Sequence, residues 1–279
     1  MCPRRSSTSI EIGVFGTRKG DRLKVLFRKW RSKLYLDGPV CSACGKELLA
    51  HIRGGMCPEC EKTSVKLGTD ICGKCGRALA NEAEFCDTCI RNERAFVRAR
   101  SCYVYEGAPK KFVYRLKFGG RRYLAAFIAE AMVDRYLDCG FECDCVVAVP
   151  LSAKRKRKRG YNQSELIVEE LSSRLKLPLI DGALVKTKEN KPQTKLTKRE
   201  REENVRGVYE VTAPEAFKGR RVLVVDDVMT TGATLGEVSR VLYKAKARSV
   251  EALTYCSTRF VSPSENILNE EDFYEDEMV

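Results

Sequence analysis

Asp226 and Asp227, followed by Thr230-Thr-Gly-Ala-Thr234, are the residues here whose types and order could do chemistry on a small ligand. A small, Gly-containing turn at a helix N-terminus leaves backbone N–H groups free, and the helix dipole favours an anion there. The hydroxyls of Thr230, Thr231 and Thr234 add donors without charge. Two carboxylates one step behind can accept hydrogen bonds from sugar hydroxyls or hold Mg²⁺. The ligand that fits both halves is a sugar phosphate. An ATPase Mg²⁺ strand would need a partner G-x-x-x-x-G-K-[ST] loop, and the 279 residues contain none. A purely structural strand and cap is the remaining alternative.

A second chemistry lies in four C-x-x-C pairs: Cys41/Cys44, Cys57/Cys60, Cys72/Cys75 and Cys86/Cys89. Each pair can aim two thiolates at one ion from a tight turn, and two pairs complete a tetrahedral Cys₄ site. Eight cysteines therefore predict about two structural Zn²⁺ ions, in consecutive ribbons or cross-braced; spacing leaves that choice open. Gly45, Gly73 and Gly76 supply permissive backbone. Separations of ten to twelve residues between pairs suit short hairpins. The region is too short for a core, so metal would supply much of its folding free energy. His51, the only histidine, reads as a loop residue. Cys102, Cys139, Cys143, Cys145 and Cys256 read as buried small hydrophobes.

These groups need elements to position them. Val222-Leu-Val-Val225 is an apolar run that fits a strand buried on both faces of a parallel sheet, with Asp226 and Asp227 at its carboxyl end, where such sheets bind ligands. Leu235, Val238, Val241, Leu242 and Ala245 then repeat with helical spacing. Upstream, Arg91–Arg98 predicts a connecting helix and Ser101–Tyr105 a strand. A basic helix opens at Pro109 and stops at Gly119-Gly120; a second spans Leu124 to Leu137. Cys145–Val149 is another buried strand. Lys154–Arg159, six cations in a row, reads as a loop at the same sheet edge, and Tyr161–Lys176 as an amphipathic helix. Short strands are expected at Leu184–Lys186, Val205–Val211 and Ser249–Cys256, with a mobile basic loop from Lys188 to Glu203 closing over the site.

Apolar residues make up 43% of the chain, normal for a soluble protein, and runs such as Leu124–Ala129 are far short of a membrane span. No apolar segment follows Arg4 and Arg5, so no signal peptide is read. Fourteen cysteines without one indicate a reducing compartment. Net charge is +13, although Glu265 to Val279 carries seven acids and no base. Such a field favours nucleic acids, nucleotides or other polyanions. Leu23, Val25, Leu26, Phe27, Trp30 and Leu34, mixed with Arg22, Lys24, Arg28, Lys29, Arg31 and Lys33, read as a basic amphipathic helix. It could pack on its own protein or lie on an anionic surface. The organisation expected is a basic segment over 1–38, a zinc-binding domain over 39–92, an α/β domain over 93–260 and an acidic, unstructured tail over 261–279.

Residues from about 41 to 258 resemble the competence protein F (ComF/GntX) family. The motifs that carry this are the Cys-rich start, Tyr105-Glu-Gly107, Leu116-Lys-Phe118, Val149-Pro-Leu151, and Arg155 with Arg159-Gly-Tyr-Asn-Gln163. They continue through Gln193-x-x-Leu196, Arg201-x-x-Asn204-Val-x-Gly207-x-Tyr209 and Val224 to Thr234. Tyr161 and Tyr209 stand where the family pattern usually has Phe. The resemblance implies a type I phosphoribosyltransferase fold behind a zinc-ribbon-like domain, in a bacterial cytoplasm, peripheral to the inner membrane at the DNA-uptake machinery. It implies that phosphoribosyl pyrophosphate (PRPP) with Mg²⁺, or a related nucleotide, binds with its 5′-phosphate on Thr230, Thr231, Gly232, Ala233 and Thr234. Asp226 and Asp227 would take the ribose, Ser152, Arg155 and Arg159 the pyrophosphate, and Arg201 would assist catalysis. Whether this is a transferase or a module that senses a nucleotide while binding single-stranded DNA or a competence helicase is left open by the motifs.

Overall fold

The computed structural model describes residues 40–48, 55–79, 83–91, 94–188 and 204–259. The expected N-terminal helix, His51, Gln193, Leu196, Arg201, the loop from 189 to 203 and the acidic tail lie outside the described residues.

Short helices α1 (Pro58–Lys62) and α2 (Asp87–Arg91) belong to the Cys-rich part. The α/β part follows as β1 (Ala99–Val104), α3 (Gly107–Phe118), α4 (Leu124–Asp138), β2 (Cys145–Ala148), α5 (Ala153–Arg159) and α6 (Gln163–Leu175). It continues with β3 (Leu184–Lys186), β4 (Tyr209–Val211), β5 (Arg221–Met229), α7 (Ala233–Lys244) and β6 (Ser249–Ser257). The main sheet is parallel, in the order β1-β6-β5-β2, and β3 with β4 forms a separate antiparallel pair. This is a parallel sheet flanked by helices, the type I phosphoribosyltransferase fold that the resemblance implies.

β5 is central and fully buried over Val222 to Val225. Leu223 and Val225 join the core made with α3, α4 and α6, while Val222 and Val224 join the core under α7 and the β3–β4 pair. Each such side chain contributes roughly 1.5–3 kcal/mol by leaving water. A charge at Val224 would be stranded between the layers.

The Cys-rich part is pressed onto the sheet backbone to backbone. Gly76 has φ +69, and a Cβ there would lie 2.4 Å from the Ala99 carbonyl oxygen. Gly107, at φ +58, meets the Thr63 carbonyl oxygen in the same way, also at 2.4 Å. The amides of Leu67 and Ala99 bond to the carbonyls of Cys102 and Lys74, so strand β1 shares its ladder with the Cys-rich segment.

Several elements differ from expectation. In the expected helix Arg91–Arg98, the described residues 94–98 are not helical: Phe96 is buried, and the Val97 amide already bonds to the Val250 carbonyl. Pairing with the sheet overrides local helical preference there. Lys154–Arg159 is helix α5 rather than a loop. Ser152 caps it by accepting from the Arg155 amide, and Gly160, at φ +80, ends it. Lys and Arg are good helix formers, and their exposed charges stay hydrated. Val205–Val211 narrows to the strand Tyr209–Val211. Strand β5 runs on to Met229 because β6 stays paired with it as far as Ser257, so Asp226 and Asp227 sit within the strand rather than at its end.

Candidate functional site

The acidic pair takes two environments. Asp226 lines a shallow concavity of ≈ 20 Å³ together with residues 228–235, room for about one water, so a ligand would rest on this rim rather than enter it. Asp227 is 3% exposed, and its Oδ2 lies 2.9 Å from Lys117 Nζ at the end of α3, without hydrogen-bond alignment. Ser164 Oγ donates to Asp226 Oδ1 at 2.8 Å. Asn162 makes that contact possible: it caps α6 by accepting from the Ser164 amide, and its Nδ2 donates to the Val149 carbonyl at the end of β2. Burial, then the neighbouring Asp227 charge, push the Asp226 carboxyl up to about 7, against the opposing pull of Lys117 and Ser164. An acid raised by burial and a like charge would be stabilised by a further cation or hydroxyl donor.

The turn after β5 leads into the N-terminus of α7. Gly232, at φ +78, is the N-cap of α7, a left-handed position that glycine adopts without strain. The Thr231 hydroxyl accepts from the Ala233 amide at 3.3 Å, fixing the bend. Tyr209 is buried beside Asp226 and Arg155; burial first, and the Asp226 charge second, push its phenol up. Ser152 is buried at the start of α5, and Arg155 is half-buried. Arg159 turns elsewhere: its guanidinium bonds to Gln163 Oε1 and stands 5.1 Å from the centre of the Phe118 ring. The sequence thus brings Asp226, Thr230–Thr234 and Arg155 to one edge, with Arg159 stacked toward α3.

Sequence reasoning assigned no role to Lys117, Ser164, Arg77 or Arg94. Arg77, between two cysteine pairs, sends Nη1 to the Thr230 carbonyl at 3.4 Å. The buried Arg94 lies 3.7 Å from where a Gly232 Cβ would stand. The Leu116-Lys-Phe118 motif was the available signal for Lys117. A larger cavity of ≈ 530 Å³, lined by Met56, Tyr103 and α4 residues such as Glu130 and Asp134, shares no residue with this site.

The eight cysteines gather as two sets, Cys41/Cys44/Cys57/Cys60 and Cys72/Cys75/Cys86/Cys89, so the pairs are consecutive and not cross-braced. Within each set all sulfurs lie within 4.8 Å of one another, with Cys44–Cys57 at 3.8 Å and Cys75–Cys86 at 3.7 Å. Zn–S bonds of about 2.3 Å imply a tetrahedral edge of about 3.8 Å, so both sets fit the ion. Burial opposes the Cys41 thiolate, yet the backbone amides around it bring it down to about 6. Each set could therefore bind zinc.

Competence protein ComFC of Bacillus subtilis is 32% identical over 232 residues, covering 81% of this chain and 88% of that protein. The chain belongs to the competence protein F family. Competence protein F of Haemophilus influenzae is 29% identical over 218 residues, 76% of this chain and 93% of its own length. "DNA utilization protein YhgH" of Salmonella typhimurium is 28% identical over 225 residues, 78% and 97% of the two chains. The phosphoribosyl transferase domain model matches residues 162–265, spanning the Asp226–Thr234 turn of this ComF-family chain. Among the described residues, no helix is long and apolar enough to cross a membrane.

Proposed function

We propose that this ComF-family protein binds PRPP, or a related ribose 5-phosphate, with Mg²⁺ at the Asp226 edge and works in DNA uptake. The observation that carries the reading is that Asp226, its carboxyl raised by burial and by Asp227, lines one concavity with the Thr230–Thr234 turn at the N-terminus of α7. The 5′-phosphate would take the amides and hydroxyls of Thr230 to Thr234. Asp226 would meet the ribose hydroxyls, while Asp227 holds Lys117 beside them. Ser152 and Arg155 would take the pyrophosphate, with Arg159 behind them. Bound Mg²⁺ would balance the acidic pair and the pyrophosphate charge. Transfer would break the bond from ribose C1 to pyrophosphate, which leaves with the electron pair, and form one from C1 to an incoming nucleophile. Two Zn²⁺ would staple the Cys-rich part. The role in DNA uptake is supported by the competence and DNA-utilization names of the relatives.

Calorimetric titration of PRPP with Mg²⁺ tests the site: the intact chain should bind and Asp226→Asn should not, and equal affinities would end the assignment. Pyrophosphate release in the presence of PRPP and a panel of nucleobases or amines tests transfer.

A second reading, single-stranded DNA binding, is favoured by one feature. Tyr114, Phe118 and Tyr123 are exposed aromatics, with Arg159 stacked on Phe118 and Arg121 Nη1 3.4 Å from the Tyr123 hydroxyl. The six-cation run contains no aromatic, but folding brings rings beside it. Cations track phosphates and rings stack bases. Anisotropy of a labelled oligothymidylate over a salt series should show binding that Phe118→Ala weakens; an unchanged affinity would reject this surface.

A further inference from the structure

The Cys-rich part touches the Thr230–Thr234 turn at named atoms, and those contacts converge on one arginine. Arg77 follows Cys75 in the second cluster and is 8% exposed. Its backbone carbonyl accepts from the Cys72 amide at 2.9 Å, so the knuckle itself sets where the side chain begins. One arm of the guanidinium, Nη2, reaches Cys86 Sγ at 3.7 Å; the other, Nη1, reaches the Thr230 carbonyl at 3.4 Å. The same carbonyl accepts from the Thr258 hydroxyl at 3.4 Å, so the turn is held from the sheet side and the cluster side together. Cys72, Cys75 and Cys86 share one buried core with Met229, just before the turn, and Ala233, within it.

We propose that Arg77 is a positioning residue that makes filling of the Cys72/Cys75/Cys86/Cys89 site set the shape of the Thr230–Thr234 turn. A divalent ion held by four thiolates leaves two net negative charges, which fix the guanidinium from one side. The planar fork then presents its second arm to Thr230, and the bend from Thr230 to Thr234 is held in advance of any ligand. Arg94 packs behind Gly232 from the same Cys-rich side. Among the described residues, the first cluster is anchored away from this turn, by Arg115, which donates to the Ser42 carbonyl at 2.6 Å. Coupling to the turn is therefore a property of the second cluster. The ligand arm of this inference rests on the proposed phosphate role of the turn; the structural arm does not.

The test uses the full chain with zinc content measured throughout. Hydrogen–deuterium exchange is followed over residues 228–236, and ribose 5-phosphate is titrated by calorimetry. Arg77→Met should keep its zinc, speed exchange in the turn, and bind ribose 5-phosphate roughly tenfold or more weakly, the scale of a lost charged hydrogen bond. Cys44→Ser, which opens the first cluster, should leave exchange in the turn as in the unaltered chain. Unchanged exchange in zinc-replete Arg77→Met overturns the proposal, and so does a turn loosened equally by Cys44→Ser. Should Arg77→Met lose its zinc or its fold, Arg77→Lys replaces it: a single ammonium cannot span sulfur and carbonyl, so faster exchange is again expected and unchanged exchange again overturns. If exchange rises while the unaltered chain ignores ribose 5-phosphate, the coupling stands and the phosphate reading fails.

Discussion

Cys41 and Cys57 pack with Ala43 and Met56 into the core of α3 and α4, whereas Cys72, Cys75 and Cys86 pack with Met229 and Ala233 on the other side of the sheet. The two knuckles share one plan, a bridge between flanking residues (Val40 with Glu47, Ile71 with Ala78) and a left-handed glycine after the second cysteine. Their neighbours differ. The first leans on α3, whose Arg115 holds Ser42 and whose Lys117, two residues on, faces Asp227. The second reaches Thr230 directly through Arg77. Two like cysteine sets thus support opposite halves of the candidate site, the acidic pair from one side and the turn from the other. Local spacing defines a knuckle, but its placement on the sheet decides what it does.

Removing both metals should have the largest effect on this arrangement. About 10 kcal/mol of apparent binding free energy is withdrawn when a structural zinc of this kind is lost. Chelation should make residues 40–91 protease-sensitive while the sheet keeps its circular dichroism, and survival of the Cys-rich part without metal would break the comparison at its root. Next comes Lys117→Met, which strands Asp227 in a buried place without its cation. A loss of about 3–5 kcal/mol is expected from urea unfolding at neutral pH; a loss under 1 kcal/mol would mean that Asp227 does not depend on α3.

Asp226→Asn sharpens the contrast between the two carboxylates. The folded-state value of Asp226 is raised to about 7 from an ordinary 3.8, so the folded protein holds more protons than the unfolded chain between those values. Stability from this group is full below about pH 4 and is lost as pH rises through 7. The Asn variant should therefore be more stable than the unaltered chain at pH 8, by on the order of 2–4 kcal/mol, and no more stable at pH 4. Chemical denaturation at both values checks the sign. The smallest effect is expected from Arg115→Ala, about 1–2 kcal/mol for a partly buried charged hydrogen bond, with exchange in the Thr230–Thr234 turn unaltered.

Much of this was readable in the chain because its signals are local. Val222–Thr234 carries strand, acid pair and turn in sequence, and the four C-x-x-C pairs declare their own chemistry. The misread stretches are those where distant partners decide. Lys154–Arg159 gave no hint that Ser152 and Gly160 would cap a helix on either side of it, and Phe96 and Val97 answer to the sheet rather than to their neighbours. Lys117 and Asp227 are far apart in the chain, as are Arg77 and Thr230, so no periodicity links either pair. Arg159 was expected at the ligand from its place in the motif, whereas its side chain goes to Gln163 and Phe118, because α5 winds the chain through nearly two turns before it.

At Gly76 and Gly107 the carbonyls of Ala99 and Thr63 occupy the room a side chain would need. Even alanine at either point would wedge the thiol-bearing lobe away from its support. A ribbon borrowed from another protein, however well it chelated, would hang loose unless it too arrived bare where Gly76 meets Ala99.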